Sequence, residues 1–244
     1  MSAPDILPGK PGGILLICDH ASKAVPDGVD LGIDPALLEK HIAIDIGAAP
    51  LTRALAARLE VPAILATVSR LVIDLHRQPD HPSLIPAVSD GHIIPGNERV
   101  DRFDRIARFH VPYHRAIASL IHDGRPSLLA SIHSFTPRLE CGGAGERPWQ
   151  AGILSNRDRR AADLAVALLE KAGIVTGDNQ PYSGRVLNAT LNRHGEAAGI
   201  PSLAIEIRND LIHDNAGIAR WTNILAPILV EISNILASRL PSAT

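Results

Sequence analysis

The sequence is poor in aromatic residues, in cysteine and in net charge, and each shortage excludes a class of function. Aromatic side chains are only 3% of the 244 residues, which argues against base stacking on nucleic acid and against an aromatic ligand cage. The formal net charge is -2 and there is no basic block, so nucleic acid is not expected as a partner. Cys18 and Cys141 are the only cysteines, which excludes a disulfide framework and a four-cysteine zinc site.

Several sequence signals of other protein classes are also missing. The longest apolar stretches are too short to span a bilayer, and residues 1–10 lack the apolar core of a signal peptide. No GxGxxG, Walker A, HExxH or GxSxG motif occurs, so dinucleotide, P-loop, zincin and serine-hydrolase sites are not expected. We therefore expect a cytoplasmic protein, a monomer or a homodimer, that binds neither membranes nor nucleic acid. Its unusual component is histidine, with 11 residues.

Short apolar runs alternate with helical patterns along the chain, and hydrophobic residues make up 45% of it, enough for a full core. Such alternation predicts an α/β fold of three layers, with a mostly parallel or mixed sheet and helices on both faces. The length favours a single domain, residues 1–244. We predict strands at 14–18, 62–67, 71–75, 127–132, 151–155, 173–176 and 201–207, helices at 35–59, 98–122, 158–172 and 216–238, and long loops at 77–97 and 137–150.

Polar residues follow three of the predicted strands where the apolar runs end. His20 follows the run 14–18, His133 ends the run 128–132, and Glu206 ends the run 203–205. Open α/β sheets bind ligands at the carboxyl ends of their strands, so these side chains are candidates for one site. Two histidines and a carboxylate are typical of a mononuclear zinc hydrolase, and a buried glutamate is a candidate general base. Alternatively, the histidines are ordinary surface residues and Glu206 is an exposed residue of an edge strand.

Two further segments combine charge with apolar neighbours. His41 and Asp45 are four residues apart on the predicted helix 35–59 and would share a face, and Asp45 lies among isoleucines. A carboxylate in such surroundings is costly to bury unless it is paired or metal-bound, although an exposed pair on a helix is equally compatible. Arg70 and Arg77 flank the predicted strand 71–75, where Asp74 could orient one guanidinium towards a carboxylate ligand. A surface ion-pair group is the alternative.

His114 and His194 are candidates for substrate contacts or for stabilising an oxyanion. The neighbouring Tyr113 adds little, because adjacent helical residues do not face each other. An ordinary structural role is the simpler interpretation for both histidines.

Together these segments resemble the N-formylglutamate amidohydrolase family. The resemblance runs in order from about residue 14 to about residue 215 and implies a fold similar to the zinc exopeptidases and aspartoacylase-like deacylases. It implies zinc-dependent hydrolysis of the N-formyl or N-acyl amide of an acidic amino acid, as in the breakdown of histidine. The segments that carry it are Cys18–Ser22, His41–Ala48, Ser69–Asp74, Ile94–Asn97, Pro112–His114, Ser131–Pro137, Gly177–Asn179, His194–Glu196 and Glu206–Arg208.

The resemblance also implies roles for individual residues. His20 and His133 match the expected zinc ligands, Glu206 matches the catalytic carboxylate, and Arg70 and Arg77 match arginines that would hold the substrate carboxylates. Arg70 is also expected to stabilise the oxyanion. We expect Asp74, Ser134 and His194 to contribute to substrate binding as well.

The sequence departs from related deacylases at two positions. Their metal-binding His-x-x-Glu is absent, since Lys23 stands in place of the glutamate, so we assign the third zinc ligand to Asp45, with Asp19 as the alternative. Their Asp-x-Asn-Arg reads Asp74-Leu75-His76-Arg77 here, which points to a different substrate contact at His76. Another divalent transition metal, another N-acyl amino acid or short peptide as substrate, or a non-catalytic protein that binds acidic metabolites remain the alternatives.

Overall fold

The computed structural model describes residues 3–141 and 145–238. Its strands are β1 (Asp5–Leu7), β2 (Ile14–Cys18), β3 (Ala63–Leu65), β4 (Val88–Ser89), β5 (His92–Ile93), β6 (Leu128–Phe135), β7 (Ala151–Leu154), β8 (Thr176–Asp178) and β9 (Ser202–Arg208). Its α-helices are α1 (Ala48–Leu59), α2 (Arg102–Arg105), α3 (Val111–Gly124), α4 (Arg160–Lys171), α5 (Ala189–His194) and α6 (Asn215–Ser238), and a π-helical turn, Ile106–His110, joins α2 to α3.

Seven strands form one mixed sheet in the order β1-β3-β2-β6-β9-β7-β8. The central strands β3, β2, β6 and β9 run parallel, whereas β1 pairs antiparallel with β3 and β7 pairs antiparallel with β9. The parallel strands are buried on both faces, as their near-continuous apolar runs require. Their carboxyl ends meet at one edge of the sheet.

The two faces of the sheet face separate cores. Along β2, Ile14, Leu16 and Cys18 belong to the core formed with α1, α4 and α6, whereas Leu15 and Ile17 belong to the core that contains residues of α3 and α5. Alternation of side chains along a strand produces this division. The predicted α/β fold, a mixed sheet with helices on both faces, is therefore confirmed.

Helix α6 lies where the sequence predicts a helix, at residues 216–238. It has the length and hydropathy of a membrane span. However, Trp221, Leu225, Leu229 and Ile232 recur at helical spacing and are buried in the core beside α1 and α4. This face identifies α6 as a packing helix of the fold.

The predicted strand 71–75 is wrong. Residues 69–74 form a compact turn in which the amide of Leu71 donates to the Ser69 hydroxyl and the amide of Val72 donates to the Ser69 carbonyl. Leu71, Val72 and Ile73 are nevertheless fully buried. A short apolar run is compatible with a buried turn as well as with a strand, so the run alone could not decide.

The predicted helix 35–59 is broken into a 3-10 turn, Pro35–Glu39, and helix α1. Gly47 precedes α1 with a positive φ of 82°, and a Cβ there would lie 2.2 Å from the carbonyl oxygen of Ile212. Asp45 therefore lies on a turn rather than on a helix, and the expectation that it shares a helical face with His41 is wrong. The broken helix places Asp45 beside the ends of β2 and β6.

The remaining differences are small. The predicted loop 77–97 contains two 3-10 turns and a hairpin of β4 and β5. The helix predicted at 98–122 corresponds to α2, the π-helical turn and α3. The strand predicted at 173–176 overlaps β8, which begins at Thr176. The predicted loop 137–150 is irregular where it is described, and Gly142 and Gly143 lie outside the described residues.

Candidate active site

The candidate site lies where the parallel strands β2, β6 and β9 end. His20 follows β2 by two residues, and His133 and Glu206 face each other in the register of β6 and β9. The turn before α1 adds Asp45, whose amide donates to the His20 carbonyl at 3.1 Å. All four side chains are buried. The sheet thus brings together residues that are up to 186 positions apart, from 20 to 206.

His20, His133 and Asp45 converge on one point. Asp45 Oδ2 lies 3.2 Å from His20 Nδ1 and 2.8 Å from His133 Nδ1. One ligand atom from each of the three lies within 4.8 Å of the others. Two imidazole nitrogens and one carboxylate oxygen are a donor set that suits Zn²⁺ and leaves a coordination position free. The group could hold a metal ion.

Each of the two histidines is backed by a second aspartate. Asp74 Oδ1 lies 2.7 Å from His20 Nε2. His133 Nε2 lies 2.9 Å from the Ser131 hydroxyl and 3.3 Å from Asp19 Oδ2, which accepts from that hydroxyl. Metal-binding histidines usually have a carboxylate on the nitrogen that does not bind the metal, because it fixes the ring and its tautomer. Both rings are therefore held with Nδ1 towards Asp45.

Asp19, His76 and His133 also form a group compact enough for a metal. Asp19 is already occupied, however: its Oδ1 accepts from Thr190 at 3.0 Å, and its Oδ2 accepts from Ser131 at 3.2 Å and faces His76 Nδ1 at 3.0 Å. Unlike Asp45, Asp19 does not line the cavity. These contacts favour Asp45 as a ligand and Asp19 as the residue that orients His133.

Arg70 joins the two aspartates that flank His20. Its guanidinium donates to Asp45 Oδ1 at 3.1 Å and to Asp74 Oδ2 at 2.9 Å. Burial alone would raise the pKa of Asp45, but the charge of His20, the hydrogen bond with His133 and the charge of Arg70 lower it below its ordinary value. Asp45 is therefore a carboxylate at neutral pH, as a metal ligand must be.

Glu206 differs from the aspartates in its hydrogen bonding. Its side chain is only 7% exposed, and its Oε2 accepts no hydrogen bond from the described residues. Burial, together with the negative charge of Asp45, raises the pKa of Glu206 to about 7, against the opposing charges of His133 and His20. A glutamate with such a pKa can take up and release a proton near neutrality.

A cavity of about 170 Å³ opens onto these residues. Arg77 lines it, and its Nε is buried without a hydrogen-bond partner among the described residues, 3.7 Å from Asp74 Oδ2. Leu154, Leu187 and Tyr182 supply apolar walls. A larger groove of about 590 Å³ between α1 and α6 lacks such a group of converging polar side chains.

The other residues proposed from the sequence lie in different places. Ser134 lines the cavity, but its hydroxyl donates to the Ile46 carbonyl at 2.8 Å. Asp74 lies behind His20 and orients both that ring and Arg70. His194 does not line the cavity, and its Nε2 lies 2.8 Å from His114 Nδ1.

Tyr182 and His41 also line the cavity, and the sequence predicted neither position. Tyr182 lines the wall in an irregular segment, and its hydroxyl accepts from Arg147 at 3.1 Å. His41 also lines the cavity, where its Nε2 lies 3.0 Å from Asp90 Oδ2. No motif marked Tyr182, and the pairing expected for His41 placed it beside Asp45 on a helix that does not form.

The raised pKa of Glu206 predicts how the stability of the metal-free protein depends on pH. The pKa of a glutamate is 4.5 in the unfolded chain and about 7 at Glu206 in the folded protein. The contribution of this group to folding stability is therefore fully present below the unfolded pKa and is lost as the pH rises through the folded pKa. We expect Glu206→Gln to raise the free energy of unfolding by on the order of 3 kcal/mol at pH 8, and by under about 1 kcal/mol at pH 5. Urea unfolding of chelator-treated protein at both pH values measures this, and an equal gain at both would contradict it.

Comparison with known proteins places this geometry in context. The family model of N-formylglutamate amidohydrolase matches residues 12–213. A gene product of known structure from Agrobacterium tumefaciens is 32% identical, with a TM-score of 0.91 over 97% of each chain. The N-formylglutamate amidohydrolase from Ralstonia eutropha JMP134 is 20% identical and has the same fold, with a TM-score of 0.76 over 98% of this chain and 100% of that chain. No curated protein matches the sequence.

Proposed function

The chain belongs to the N-formylglutamate amidohydrolase family and is a hydrolase of amide C–N bonds, and from this premise we propose its substrate, metal and residue roles. The proposed reaction is zinc-dependent hydrolysis of the N-formyl amide of an acidic amino acid, such as N-formyl-L-glutamate, to the free amino acid and formate. The observation that supports it most is the convergence of His20, His133 and Asp45 beside Glu206, whose Oε2 has no hydrogen-bond partner among the described residues.

In this proposal, His20 Nδ1, His133 Nδ1 and Asp45 Oδ2 hold the metal. Two histidines and one carboxylate favour zinc over magnesium, although iron, cobalt or manganese could use the same donors. When bound, zinc supplies a Lewis acid that polarises a carbonyl group and increases the acidity of water. Asp74 and Asp19 keep the two histidines in place and fix their tautomers.

Glu206 acts as the general base and then as the general acid. Its carboxylate takes a proton from the water that attacks the acyl carbon, and it gives this proton to the departing nitrogen. Its raised pKa, about 7, suits both transfers at neutral pH. Its buried Oε2 has no competing partner among the described residues, so it is free for the water.

The two arginines have different roles. Arg77 has a buried Nε with no acceptor among the described residues, so it can take a carboxylate of the substrate. Arg70 is held by Asp45 and Asp74, and its 25% exposed side chain is fixed beside the proposed metal ligands. Arg70 therefore stabilises the negative charge that develops on the acyl oxygen, and it helps to hold the substrate.

This assignment predicts the effect of Arg77→Ala on substrate binding. Loss of a charge-assisted hydrogen bond to a carboxylate costs about 1.5–3 kcal/mol, so we expect KM for N-formyl-L-glutamate to rise about 10- to 100-fold with a smaller change in kcat. Steady-state kinetics measure the change. Arg58→Ala, an exposed position on α1, is the matched control and is expected to leave KM unchanged. Equal KM values for Arg77→Ala and the wild type would remove Arg77 from the substrate site.

A panel of substrates tests the proposed function itself. Zinc-loaded protein is expected to release formate from N-formyl-L-glutamate faster than it deacylates N-acetyl or longer N-acyl amino acids, because the cavity is only about 170 Å³. Preference for another N-acyl amino acid would keep the chemistry and change the substrate. Binding of N-formyl-L-glutamate without turnover would instead support a non-catalytic binding protein.

A further inference from the structure

Three buried histidines lie outside the cavity, on the far side of the segment Leu75–Arg77. His110 ends the π-helical turn, His114 lies on α3, and His194 ends α5. Their exposures are 2%, 2% and 7%, and none lines the cavity. The proposed reaction assigns them no role, which leaves their burial to be explained.

Their hydrogen bonds fix two backbone carbonyls of that segment. His110 Nε2 lies 3.1 Å from the Arg77 carbonyl oxygen, and His114 Nε2 lies 3.0 Å from the Leu75 carbonyl oxygen. Because a carbonyl oxygen can only accept, both Nε2 atoms must carry the proton. The two carbonyls lie on either side of His76.

The third histidine completes a directed chain. A neutral His114 with its proton on Nε2 has a lone pair on Nδ1, and His194 Nε2 lies 2.8 Å from that atom. His194 therefore donates to His114, and His114 donates to Leu75. The rings of His114 and His194 are nearly parallel, with an interplanar angle of 13° and centroids 5.1 Å apart, which fits a hydrogen bond in the plane of both rings.

Helical spacing brings these side chains to the segment from two directions. His110 and His114 are four residues apart in continuous helical backbone, so they share one face. Thr190 and His194 are likewise four apart on α5, where Thr190 donates to Asp19 at 3.0 Å. Side chains of α3 and α5 therefore bind Leu75 and Asp19 next to the proposed site.

This arrangement requires that His114 and His194 are both uncharged. Burial, followed by the charge of His110, lowers the pKa of His114 to about 3. Burial, followed by the charge of Arg193, lowers the pKa of His194 to about 4. Both rings are thus uncharged at neutral pH, and His114 Nδ1 stays available as an acceptor.

Residues of the proposed site lie directly before this segment and at its end. Asp74 backs His20 at 2.7 Å and accepts the amide of His76 at 3.0 Å, and Arg77 lines the cavity. A shift of the Leu75 or Arg77 carbonyl would move both side chains together. Even small displacements of Asp74 or Arg77 would be costly, because catalytic groups and metal ligands need nearly fixed geometry.

We propose that His110, His114 and His194, the supporting histidines, are positioning residues that set Asp74 and Arg77 through the carbonyls of Leu75 and Arg77. This inference rests on the proposed function, since the residues it positions act on the metal and the substrate. None of the supporting histidines lines the cavity, so they would affect the reaction through the backbone of this segment.

The test compares His194→Gln with His194→Leu. The glutamine amide can donate to His114 Nδ1 as His194 does, whereas leucine fills a similar space without a donor. We expect His194→Leu to weaken zinc binding about 10-fold, the lower end of the range for groups that orient metal ligands directly, and to raise KM more than it lowers kcat. His194→Gln should restore both values to within about threefold of the wild type. His122→Leu, at an exposed position of α3, is the matched control.

Chelator competition measures zinc affinity without turnover. It therefore tests the inference even if N-formyl-L-glutamate proves to be the wrong substrate. Equal zinc affinity and KM in His194→Leu and the wild type, or equal losses in the leucine and glutamine variants, would overturn it. Nitrogen-15 NMR of the wild-type histidines decides the matter if the variants do not fold or zinc does not bind. We expect His114 and His194 as neutral Nε2–H tautomers and His110 with a proton on Nε2, and a proton on His114 Nδ1 would overturn the inference.

Discussion

Glu206→Gln is expected to lower kcat/KM for N-formyl-L-glutamate by about 10³-fold, within the range attributed to a general acid–base group, while zinc stays bound. Glutamine preserves the size of the side chain but can neither accept the proton of the attacking water nor return it to the leaving nitrogen. The proposed ligand set, His20, His133 and Asp45, does not include Glu206. Formate release and zinc content of the same preparation measure the two effects.

Glu170→Gln on α4 is the matched control, because it makes the same chemical change at an exposed position. It should keep wild-type activity. A Glu206→Gln enzyme with full activity would remove Glu206 from the mechanism. An inactive variant that has also lost its zinc would assign Glu206 to metal binding instead.

Asp45→Asn is expected to reduce zinc affinity more than Asp19→Asn does. Asp45 Oδ2 faces both Nδ1 atoms, so in the proposed site its replacement removes a ligand, whereas Asp19 lies on the Nε2 side of His133 and would orient that ring without binding the metal. Loss of such an orienting carboxylate typically costs 10- to 100-fold in metal affinity, and loss of a ligand should cost more. Competition with a chromogenic chelator compares both variants with the wild type.

Both substitutions keep the volume of the side chain, so differences in folding can be checked by circular dichroism and corrected for. The opposite order, with Asp19→Asn losing more zinc than Asp45→Asn, would move the metal to the group of Asp19, His76 and His133. Equal zinc affinity in all three proteins would exclude both groups.

The edge of the sheet where the site lies could be predicted from the sequence. The apolar runs before His20, His133 and Glu206 form β2, β6 and β9, and parallel strands bring their carboxyl ends together. These residues could be found because burial of a strand leaves a local pattern in the sequence.

The position of Asp45 could not be derived in the same way. Its isoleucine neighbours indicated burial, but the turn that carries it depends on Gly47, whose backbone closely approaches Ile212. That approach joins residues 165 positions apart, from 47 to 212, and no local pattern records it. The apolar run 71–75 had the same difficulty, since a buried turn and a buried strand look alike in sequence.

The roles of Asp19 and Asp74 depend on which nitrogen of each histidine ring faces which carboxylate. Such orientation is set by side-chain packing and leaves no signal in a single sequence. The contact of His114 with His194 is of the same kind, because their 80-residue separation and different helices give no periodicity to read.

The most direct test of the account is the zinc dependence of formate release from N-formyl-L-glutamate by the wild-type protein after removal of metal with a chelator. We predict that activity is lost with the metal, returns in proportion to added zinc, and saturates at about one zinc ion per chain, as a single group of three ligands requires. Activity that is unchanged by removal and return of metal would contradict the account.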